Sequence, residues 1–516
     1  FGNKTTLAKT LIKISGFTPI VYIAVDFLTN LNLELTEKCA CPIKSFKFMA
    51  VSTLILMVCW LPYFVLLYPG CVTNDAFDQL AQAINSPDYC WSKNTVILLD
   101  ESVILNNHHP LFYTGVLKLT AMFAEAINSY EGAFEILCIF QSVCLALSFS
   151  YMFYVMHKHK VSKKYSLITF LFCAFNPLYP IYGMTVVKDT LFCVFFVLVA
   201  VQLYELLKLK KASVQRYVVF LITVLLFLFT RNNSVYIMAL IAVCTVICYF
   251  RSKVKMVKIA SVILIPAVLY QVGFIGMICP AFNITQGSPR EMLSVPFQQT
   301  ARYIKDHREE ITPQEEEIIA SVLNCNGDID NLAKAYAGSF ADNVKNTFNK
   351  NATGEDLVKY FKMWFSCLLK HPMTYVEGYL NLHYGWFSYE GNNFIAYSSV
   401  GTWPGGKMIE EFEGYMGNAS MRAVVNKTLD ILNKNPVTSM LLEMSTYTWL
   451  YLLLLFYIIK RKNKAAFIVC GLAFFNYLIS FVGPVAYMRY ALPMVCIAPF
   501  AIFIVFKKQK ETKNNG

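Results

Sequence analysis

The sequence is poor in charge. Only 15% of its 516 residues are Asp, Glu, Lys or Arg, whereas 56% are hydrophobic and 15% aromatic. The mean hydropathy is +0.47. So little charge excludes a single water-soluble core for a chain of this length, because most of its apolar surface must lie in lipid. The sequence is therefore predicted to form an α-helical polytopic membrane protein.

The sequence also lacks internal repeats, low-complexity tracts and a disulfide framework. Most of its 16 cysteines lie inside apolar segments, where they behave as small hydrophobic residues. Cys71 and Cys90 flank one loop and would pair only in an oxidising compartment. The net charge of +12 comes from short Lys and Arg clusters between apolar runs, which is typical of topology signals. Nucleic acid is therefore not expected as a partner.

Ten apolar runs are predicted to form membrane helices, and a full crossing takes about 17 to 25 residues. The first covers residues 46–68 and the last 485–506. The basic clusters between these runs are predicted to be cytoplasmic. This rule holds at every loop only if residues 109–126 form a helix in the outer interface instead of crossing. We expect about 10–12 transmembrane helices, with interfacial helices in the first outer loop.

The predicted topology divides the chain into four parts. These are an N-terminal interfacial or extra membrane segment (1–45), an N-terminal transmembrane module (46–279) with its first outer loop at 69–131, an extracytoplasmic domain (280–445), and C-terminal helices with a basic tail (446–516). The extracytoplasmic domain is predicted to be mainly helical. Thr312, Pro313 and Glu315 form a typical helix start, and Thr353 begins a second helix.

Ionisable residues of both signs gather at the predicted outer ends of the helices. They are Asp75, Asp78, His108, His109, Lys188, Asp189, Arg231 and Arg489. One such residue alone usually anchors a helix at the interface. Several on one face, where each is costly near hydrocarbon, indicate chemistry instead. The cations suit an anionic substrate such as a lipid phosphate. The carboxylates suit acceptance of a proton from an attacking hydroxyl.

The order of these motifs resembles the GT-C superfamily of membrane glycosyltransferases, which includes aminoarabinose transferases and protein O-mannosyltransferases. An acidic loop follows the first helix, Pro110 opens an interfacial helix, Lys188-Asp189 starts a later helix, and Arg489-Tyr490 precedes the last span. The resemblance covers residues 46–506 without the extracytoplasmic domain. It implies a GT-C-like fold and transfer of a sugar from a polyprenyl-phosphate carrier at the extracytoplasmic face.

In this resemblance Asp75 takes the place of the catalytic carboxylate of the first loop. It would accept the proton of the attacking hydroxyl, with inversion at the anomeric carbon, while cations neutralise the departing phosphate. The candidates for substrate or phosphate binding are Lys188, Asp189, Arg231, Arg489, Tyr490, His108 and His109. Asp78 is a candidate second carboxylate. If the reaction uses Mg²⁺ or Mn²⁺, Asp75, Asp78 and His108 would be the ligands.

The expected partners are a polyprenyl-phosphate-linked sugar donor, membrane lipids, and a cell-envelope glycan, teichoic acid, lipid or protein as acceptor. The expected location is the cell membrane, and the Lys-, Ile- and Asn-rich composition indicates a bacterium. Three alternatives remain open. A lipid-linked oligosaccharide polymerase or ligase would transfer a whole chain. A transporter or flippase would show discontinuous helices and charge near the bilayer midplane. A scaffold with an inactive GT-C fold is the third.

Overall fold

The computed structural model describes residues 22–23, 26–27, 35–37, 44–84, 105–209, 211–389 and 418–507. This part of the chain is almost entirely helical. Most of the segment predicted at 1–45 lies outside the described residues, as does Cys90, the proposed partner of Cys71.

The first part of the chain contains eleven described α-helices, two short strands and a π-helix. In chain order they are α1 (Ser45–Leu66), β1 (Cys71–Val72), α2 (Asn74–Ile84), α3 (Leu111–Ile127), α4 (Tyr130–Lys158), α5 (Lys163–Phe175), α6 (Leu178–Gly183), β2 (Thr185–Val186), α7 (Lys188–Lys208), α8 (Val214–Thr230), α9 (Ser234–Tyr249), α10 (Lys253–Val268), the π-helix Leu269–Ile278 and α11 (Cys279–Ala281).

The second part begins with a polar domain, defined here as residues 289–383. Its elements are a 3-10 helix (Pro289–Leu293), α12 (Ser294–His307), a 3-10 helix (Arg308–Glu310), α13 (Pro313–Val322), α14 (Asp330–Ala335), α15 (Asp342–Lys345), α16 (Gly354–Lys370) and α17 (Pro372–His383). After it come a 3-10 helix (Tyr384–Trp386), α18 (Ala419–Lys434), α19 (Pro436–Leu442), α20 (Met444–Arg461), α21 (Lys464–Ser480) and α22 (Met488–Phe506).

Five described helices are long and apolar enough to span a membrane, so the chain is a polytopic membrane protein. They are α1, α4, α7, the continuous run Lys253–Ala281 and α22. A sixth span is formed if α19 and α20, bent by 78°, count as one, and α8, α9 and α21 are shorter apolar helices. The expected total of 10–12 transmembrane helices stays a prediction. Helix α3, with 17 residues, is not among these candidates, and its interfacial position stays a prediction.

Helix α7 is the centre of the large apolar core. Most of its side chains are buried on all sides, as expected for a helix that is hydrophobic all round. Its 21 residues give a length of about 30 Å. Charged groups lie at both ends. Lys188 begins the helix, and Glu205, one turn before its other end, contacts His159 Nε2 at 2.6 Å. The core thus separates two charged clusters.

A short parallel strand pair joins two distant loops beside the start of α7. Cys71 pairs with Thr185 and Val72 with Val186. The apolar sequence from residue 165 to 183 is broken before this point. Pro177 has no N–H to continue α5, and the Asn176 side chain accepts from Leu178 N at 3.0 Å. The buried helix α6 follows the break and leads directly into β2.

The polar domain has a hydrophobic core of its own, which includes Phe297, Tyr303 and Tyr360. Two helix starts in this domain were predicted from the sequence. Both Thr312 and Thr353 make complete capping boxes, at the starts of α13 and α16. This domain contacts the membrane part at the loop before α22, where Ala341 N donates to Pro484 O at 3.0 Å.

Arg422 ties α18 to the turn that leads into the first outer loop of the sequence prediction. Its side chain is buried and donates to the carbonyl of Gly70 at 2.8 Å, to that of Tyr68 at 3.2 Å and to Cys71 Sγ at 2.9 Å. Gly70 adopts a φ of 125°, a conformation that other residues avoid. One guanidinium therefore fixes the backbone immediately before β1.

Replacing Arg422 should destabilise the protein. Arg422→Met leaves the carbonyls of Tyr68 and Gly70 without this donor, and for the buried Gly70 an unsatisfied carbonyl costs roughly 1–3 kcal/mol. We expect a clearly lower apparent melting temperature in detergent. Lys427→Met, at an exposed position on the same helix, is the matched control and should change little. Equal melting temperatures for the two variants would contradict this role.

Candidate active site

Helix α2 begins beside the strand pair, and its first turn carries Asp75. Thr73 precedes the helix and caps it, because its Oγ1 accepts from Ala76 N at 3.1 Å. The same hydroxyl donates to Val186 O at 3.3 Å. Two residues after Val186 comes Lys188, so pairing of the strands places the starts of α2 and α7 side by side. The sequence separation between Asp75 and Lys188 is 113 residues.

Two cations share the carboxylate of Asp75. Lys188 Nζ donates to Asp75 Oδ2 at 2.7 Å, and Arg489 Nη1 donates to the same oxygen at 3.0 Å. Burial by itself would raise the pKa of Asp75. The attraction of Arg489 and Lys188 outweighs it, so the pKa lies well below its ordinary value. Asp75 is therefore an ionised carboxylate at neutral pH.

His109 connects this group to Asp78. Lys188 Nζ lies 3.1 Å from His109 Nδ1, and His109 Nε2 lies 3.7 Å from Asp78 Oδ2. Burial lowers the pKa of His109, and the neighbouring Lys188 lowers it further, to well below its usual value. The neutral ring fits these contacts if Nδ1 accepts from Lys188 and Nε2 carries the proton towards Asp78.

The backbone around His108 and His109 is held from two sides. Asn232 Nδ2 donates to Asn107 O at 2.8 Å, and Tyr270 OH donates to Asn232 Oδ1 at 3.0 Å. On the other side, Gln79 Nε2 of α2 donates to Pro110 O at 3.1 Å and Gln82 Nε2 to Asn106 O at 2.9 Å. These amides set the position of both histidines relative to Asp75.

Asp189, Arg231 and Tyr490 form a second group next to the first. Arg231 Nη1 lies 3.8 Å from Asp189 Oδ1. Its guanidinium lies between the rings of Phe192 and Tyr490, at 5.1 Å and 5.0 Å from their centroids, a favourable cation–π arrangement. Arg489 contacts the same Tyr490 ring at 4.9 Å. Tyr490 therefore joins Arg231 to the Asp75 group.

The structure thus brings the predicted site residues into one connected region. Asp75 pairs with Lys188 and Arg489, Lys188 contacts His109, and the neutral ring of His109 lies beside Asp78. His108 lies against His109, with ring centroids 4.5 Å apart. These groups come from α2, the segment before α3, and the first turns of α7 and α22.

The proposed metal ligands are not assembled as a set. Among the described residues, Asp75, Asp78 and His108 do not form a group whose ligand atoms converge on one ion position. The histidine beside Asp78 is His109, and the shared oxygen of Asp75 already accepts from Lys188 and Arg489. The arrangement of Asp75 fits pairing with the fixed cations Lys188 and Arg489 better than coordination of Mg²⁺ or Mn²⁺.

Sequence reasoning missed the contribution of the polar domain. Glu291 and Lys345 form an ion pair of 2.8 Å, and Lys345 also contacts Asp342 Oδ1 at 2.7 Å. Burial lowers the pKa of His108 and Glu291 opposes that shift, so this pair lies near enough to influence the site. No motif marked these residues, because they belong to the region outside the family resemblance.

An apolar groove of about 450 Å³ is lined by residues that closely follow two of the charged groups in sequence. Its walls come from α3, α4 and α7, and they are almost wholly hydrophobic. Phe112 lies three residues after His109, and Leu191 lies one helical turn after Lys188; both line the groove. One part of the groove lining therefore lies within one helical turn of His109 and Lys188.

Removing the carboxylate of Asp75 should create a binding site for phosphate. Asp75→Asn leaves Lys188 and Arg489 without their counter-ion, so we expect a loss of roughly 1–3 kcal/mol and a lower apparent melting temperature in detergent. Inorganic phosphate should restore much of that temperature, at constant ionic strength, and should stabilise the wild type less because Asp75 competes with it.

Two controls make this measurement specific. Lys188→Met in the Asp75→Asn background should abolish the phosphate effect. Glu377→Gln removes a buried carboxylate from Arg302, which keeps Asp306 as a partner, and phosphate should not restore its stability. An equal response of all variants to phosphate would show that the cations beside Asp75 do not form an anion site.

The comparisons with known proteins bear on the family and leave the activity open. No curated protein matches the sequence. The model of a family of unknown function, DUF6020, matches residues 35–516, which is nearly the whole chain. The protein is therefore a member of the DUF6020 family.

Proposed function

We propose that this protein is an integral-membrane glycosyltransferase with a GT-C-like fold. In this proposal it moves a sugar from a polyprenyl-phosphate carrier to a hydroxyl of an acceptor. The main support is the carboxylate of Asp75, held at 2.7 Å from Lys188 and 3.0 Å from Arg489. A proton acceptor and two phosphate-binding cations are thus already in contact.

Binding of the donor would activate the carboxylate. Without substrate, Arg489 and Lys188 hold the pKa of Asp75 well below its ordinary value, which makes it a weak base. The phosphodiester of a lipid-linked sugar carries a negative charge and would compete for both cations. As their attraction is shared with the phosphate, the pKa of Asp75 rises. The base is then strengthened only when the donor is present.

The transfer itself is a single displacement. The acceptor oxygen forms a bond to the anomeric carbon, and its proton passes to Asp75. The bond between the anomeric carbon and the phosphate oxygen breaks, and its electron pair leaves with the phosphate. Lys188, Arg489 and Arg231 would stabilise the charge that develops there. Since attack and departure occur on opposite sides, the sugar configuration inverts.

The apolar groove suits the isoprenoid chain of such a donor. Its lining side chains are hydrophobic and include Leu191, one helical turn after Lys188, so the proposal places the isoprenoid chain in the groove and the anionic head at the cations. Burial of the chain would supply binding energy in proportion to the apolar area covered. This arrangement would also place the phosphate next to the cations.

The distribution of basic residues supports an extracytoplasmic site. Lys158, Lys208 and Lys507 lie at the end of the core opposite to Asp75, where Lys158 pairs with Glu205 and Lys507 contacts His159. Basic clusters favour the cytoplasmic side of a membrane. The proposal therefore places Asp75 and the polar domain on the outside of the cell membrane, where a glycan, lipid or protein acceptor is available.

Transport is the second candidate function, and one structural feature favours it. Discontinuous helices are typical of transporters, and the chain has a break at Asn176–Pro177 as well as the 78° bend between α19 and α20. The charged groups described above nevertheless lie at helix ends on one side of the core, next to a groove. This arrangement supports chemistry at a membrane face.

Turnover of lipid-linked sugars tests the proposal. Purified protein in detergent is given a panel of radiolabelled polyprenyl-phosphate sugars with cell-envelope extract as the acceptor source, with and without EDTA. We expect sugar transfer from one donor, reduced at least a thousandfold in Asp75→Asn. Release from no donor, together with movement of lipid-linked sugars in proteoliposomes, would favour transport. Loss in EDTA restored by Mg²⁺ or Mn²⁺ would establish a metal requirement.

The groove provides an internal control for the same assay. Ile136→Trp narrows the groove, whereas Leu147→Trp changes a similarly exposed position on the same helix that does not line it. Ile136→Trp should raise KM for long-chain donors about tenfold and leave a short-chain donor unaffected. An equal effect of both variants on KM would show that the groove does not bind the lipid chain.

A further inference from the structure

A third cluster of ionisable residues lies in the polar domain, where α12 ends and α17 begins. His307 is the last residue of α12, and Glu310 ends the 3-10 turn that follows it. His371 stands between α16 and α17. Glu310 and His371 are 61 residues apart in sequence. None of these residues belongs to the group around Asp75.

Both imidazoles face the same carboxylate. His307 Nδ1 lies 3.3 Å from Glu310 Oε1, and His371 Nε2 lies 2.9 Å from Glu310 Oε2. The two rings are stacked, with centroids 3.7 Å apart and an angle of 28° between their planes. One ligand atom from each of the three residues can be chosen so that all lie within 4.8 Å of one another.

We propose that His307, Glu310 and His371 bind a divalent transition metal ion, with Zn²⁺ as the best match. Two imidazole nitrogens and one carboxylate oxygen are a typical donor set for zinc. Ligands of a tetrahedral zinc ion lie roughly 3.3 Å apart, given bonds of about 2.0–2.1 Å. The distances of 3.3 Å from His307 Nδ1 to Glu310 Oε1 and 2.9 Å from His371 Nε2 to Glu310 Oε2 are near that spacing, and the carboxylate can offer either oxygen to the ion.

An ion also explains why two stacked histidines share one carboxylate. Without it, each nitrogen that faces Glu310 must carry a proton to donate to its own carboxylate oxygen, Oε1 for His307 and Oε2 for His371. A divalent ion replaces both protons and is attracted by all three ligands. The ligand side chains are partly accessible, at 21% for His307, 22% for His371 and 56% for Glu310. The site therefore has room for a water molecule as fourth ligand.

Neighbouring groups already hold the first histidine in the orientation that a metal needs. Thr374 Oγ1 lies 2.9 Å from His307 Nε2. This contact leaves Nδ1 of the ring free to coordinate, as outer contacts do for metal-bound histidines. The ring of Tyr303 packs beside both imidazoles, at 5.6 Å and 5.8 Å between centroids. The pocket is thus shaped by buried and hydrogen-bonded neighbours.

The proposed ion would join the end of α12 to the start of α17. These two helices pack together in the core of the polar domain, and α17 leads to Trp386, a buried side chain of the membrane core. A metal here would stabilise the polar domain in its contact with the rest of the protein. This structural role is independent of the proposed sugar transfer.

Zinc binding to the purified full-length protein tests the proposal. The protein is prepared in detergent with an affinity tag that contains no histidine, stripped with a chelator, and titrated with ZnCl₂ against a competing indicator. We expect one tight equivalent per chain, and a rise of several degrees in the apparent melting temperature. Glu310→Gln and His371→Asn should each weaken this binding at least a hundredfold.

Three further variants separate this site from others. His157→Asn changes a histidine outside the cluster and should bind zinc as the wild type does, and so should Asp75→Asn and His108→Asn. Glu310 is exposed, so Glu310→Gln should fold even if the histidine variants are unstable. Tight zinc binding that persists unchanged in Glu310→Gln and His371→Asn, or no tight equivalent in the wild type, would overturn the proposal.

Discussion

The arrangement of the candidate site depends on one shared carboxylate. Asp75 pairs with Lys188, 113 residues away, and with Arg489, 414 residues away. Three elements from the beginning, middle and end of the chain therefore meet at one oxygen atom. Because a partly buried carboxylate is costly without partners, this pairing keeps both cations at the same point. The same contact also keeps Asp75 a weak base until another anion competes for the cations.

Two supports hold that carboxylate in place. Pairing of β1 with β2, in which Val72 lies opposite Val186, sets the starts of α2 and α7 side by side. Arg422, from the C-terminal part of the chain, holds the turn before β1. Both supports act on backbone groups, so they hold the path of the chain whatever side chains follow. The fold therefore positions the site chiefly through backbone geometry, and the residues of the site determine its chemistry.

The composition of the sequence predicted the membrane class. The members of the charged group could also be predicted, because ionisable residues are rare in an apolar chain and the predicted topology places these on one side of the membrane. The sequence predicted two helix starts in the polar domain for a local reason, since Thr312 and Thr353 cap their own helices. Arg422 could not be recognised, because a single Arg on an otherwise polar helix looks exposed until its distant partners are known. Nor could the cluster of His307, Glu310 and His371, whose members approach only in the folded domain.

The central claim is that Lys188 and Arg489 receive the phosphate of a lipid-linked donor and release Asp75. The most direct measurement is an experimental structure of the protein in lipid nanodiscs with a polyprenyl-phosphate sugar bound. The account predicts the phosphate within hydrogen-bonding distance of both cations, the isoprenoid chain in the groove beside Leu191, and the Asp75 carboxylate facing the anomeric carbon. A donor bound elsewhere, with Asp75 still paired to Lys188 and Arg489, would contradict it.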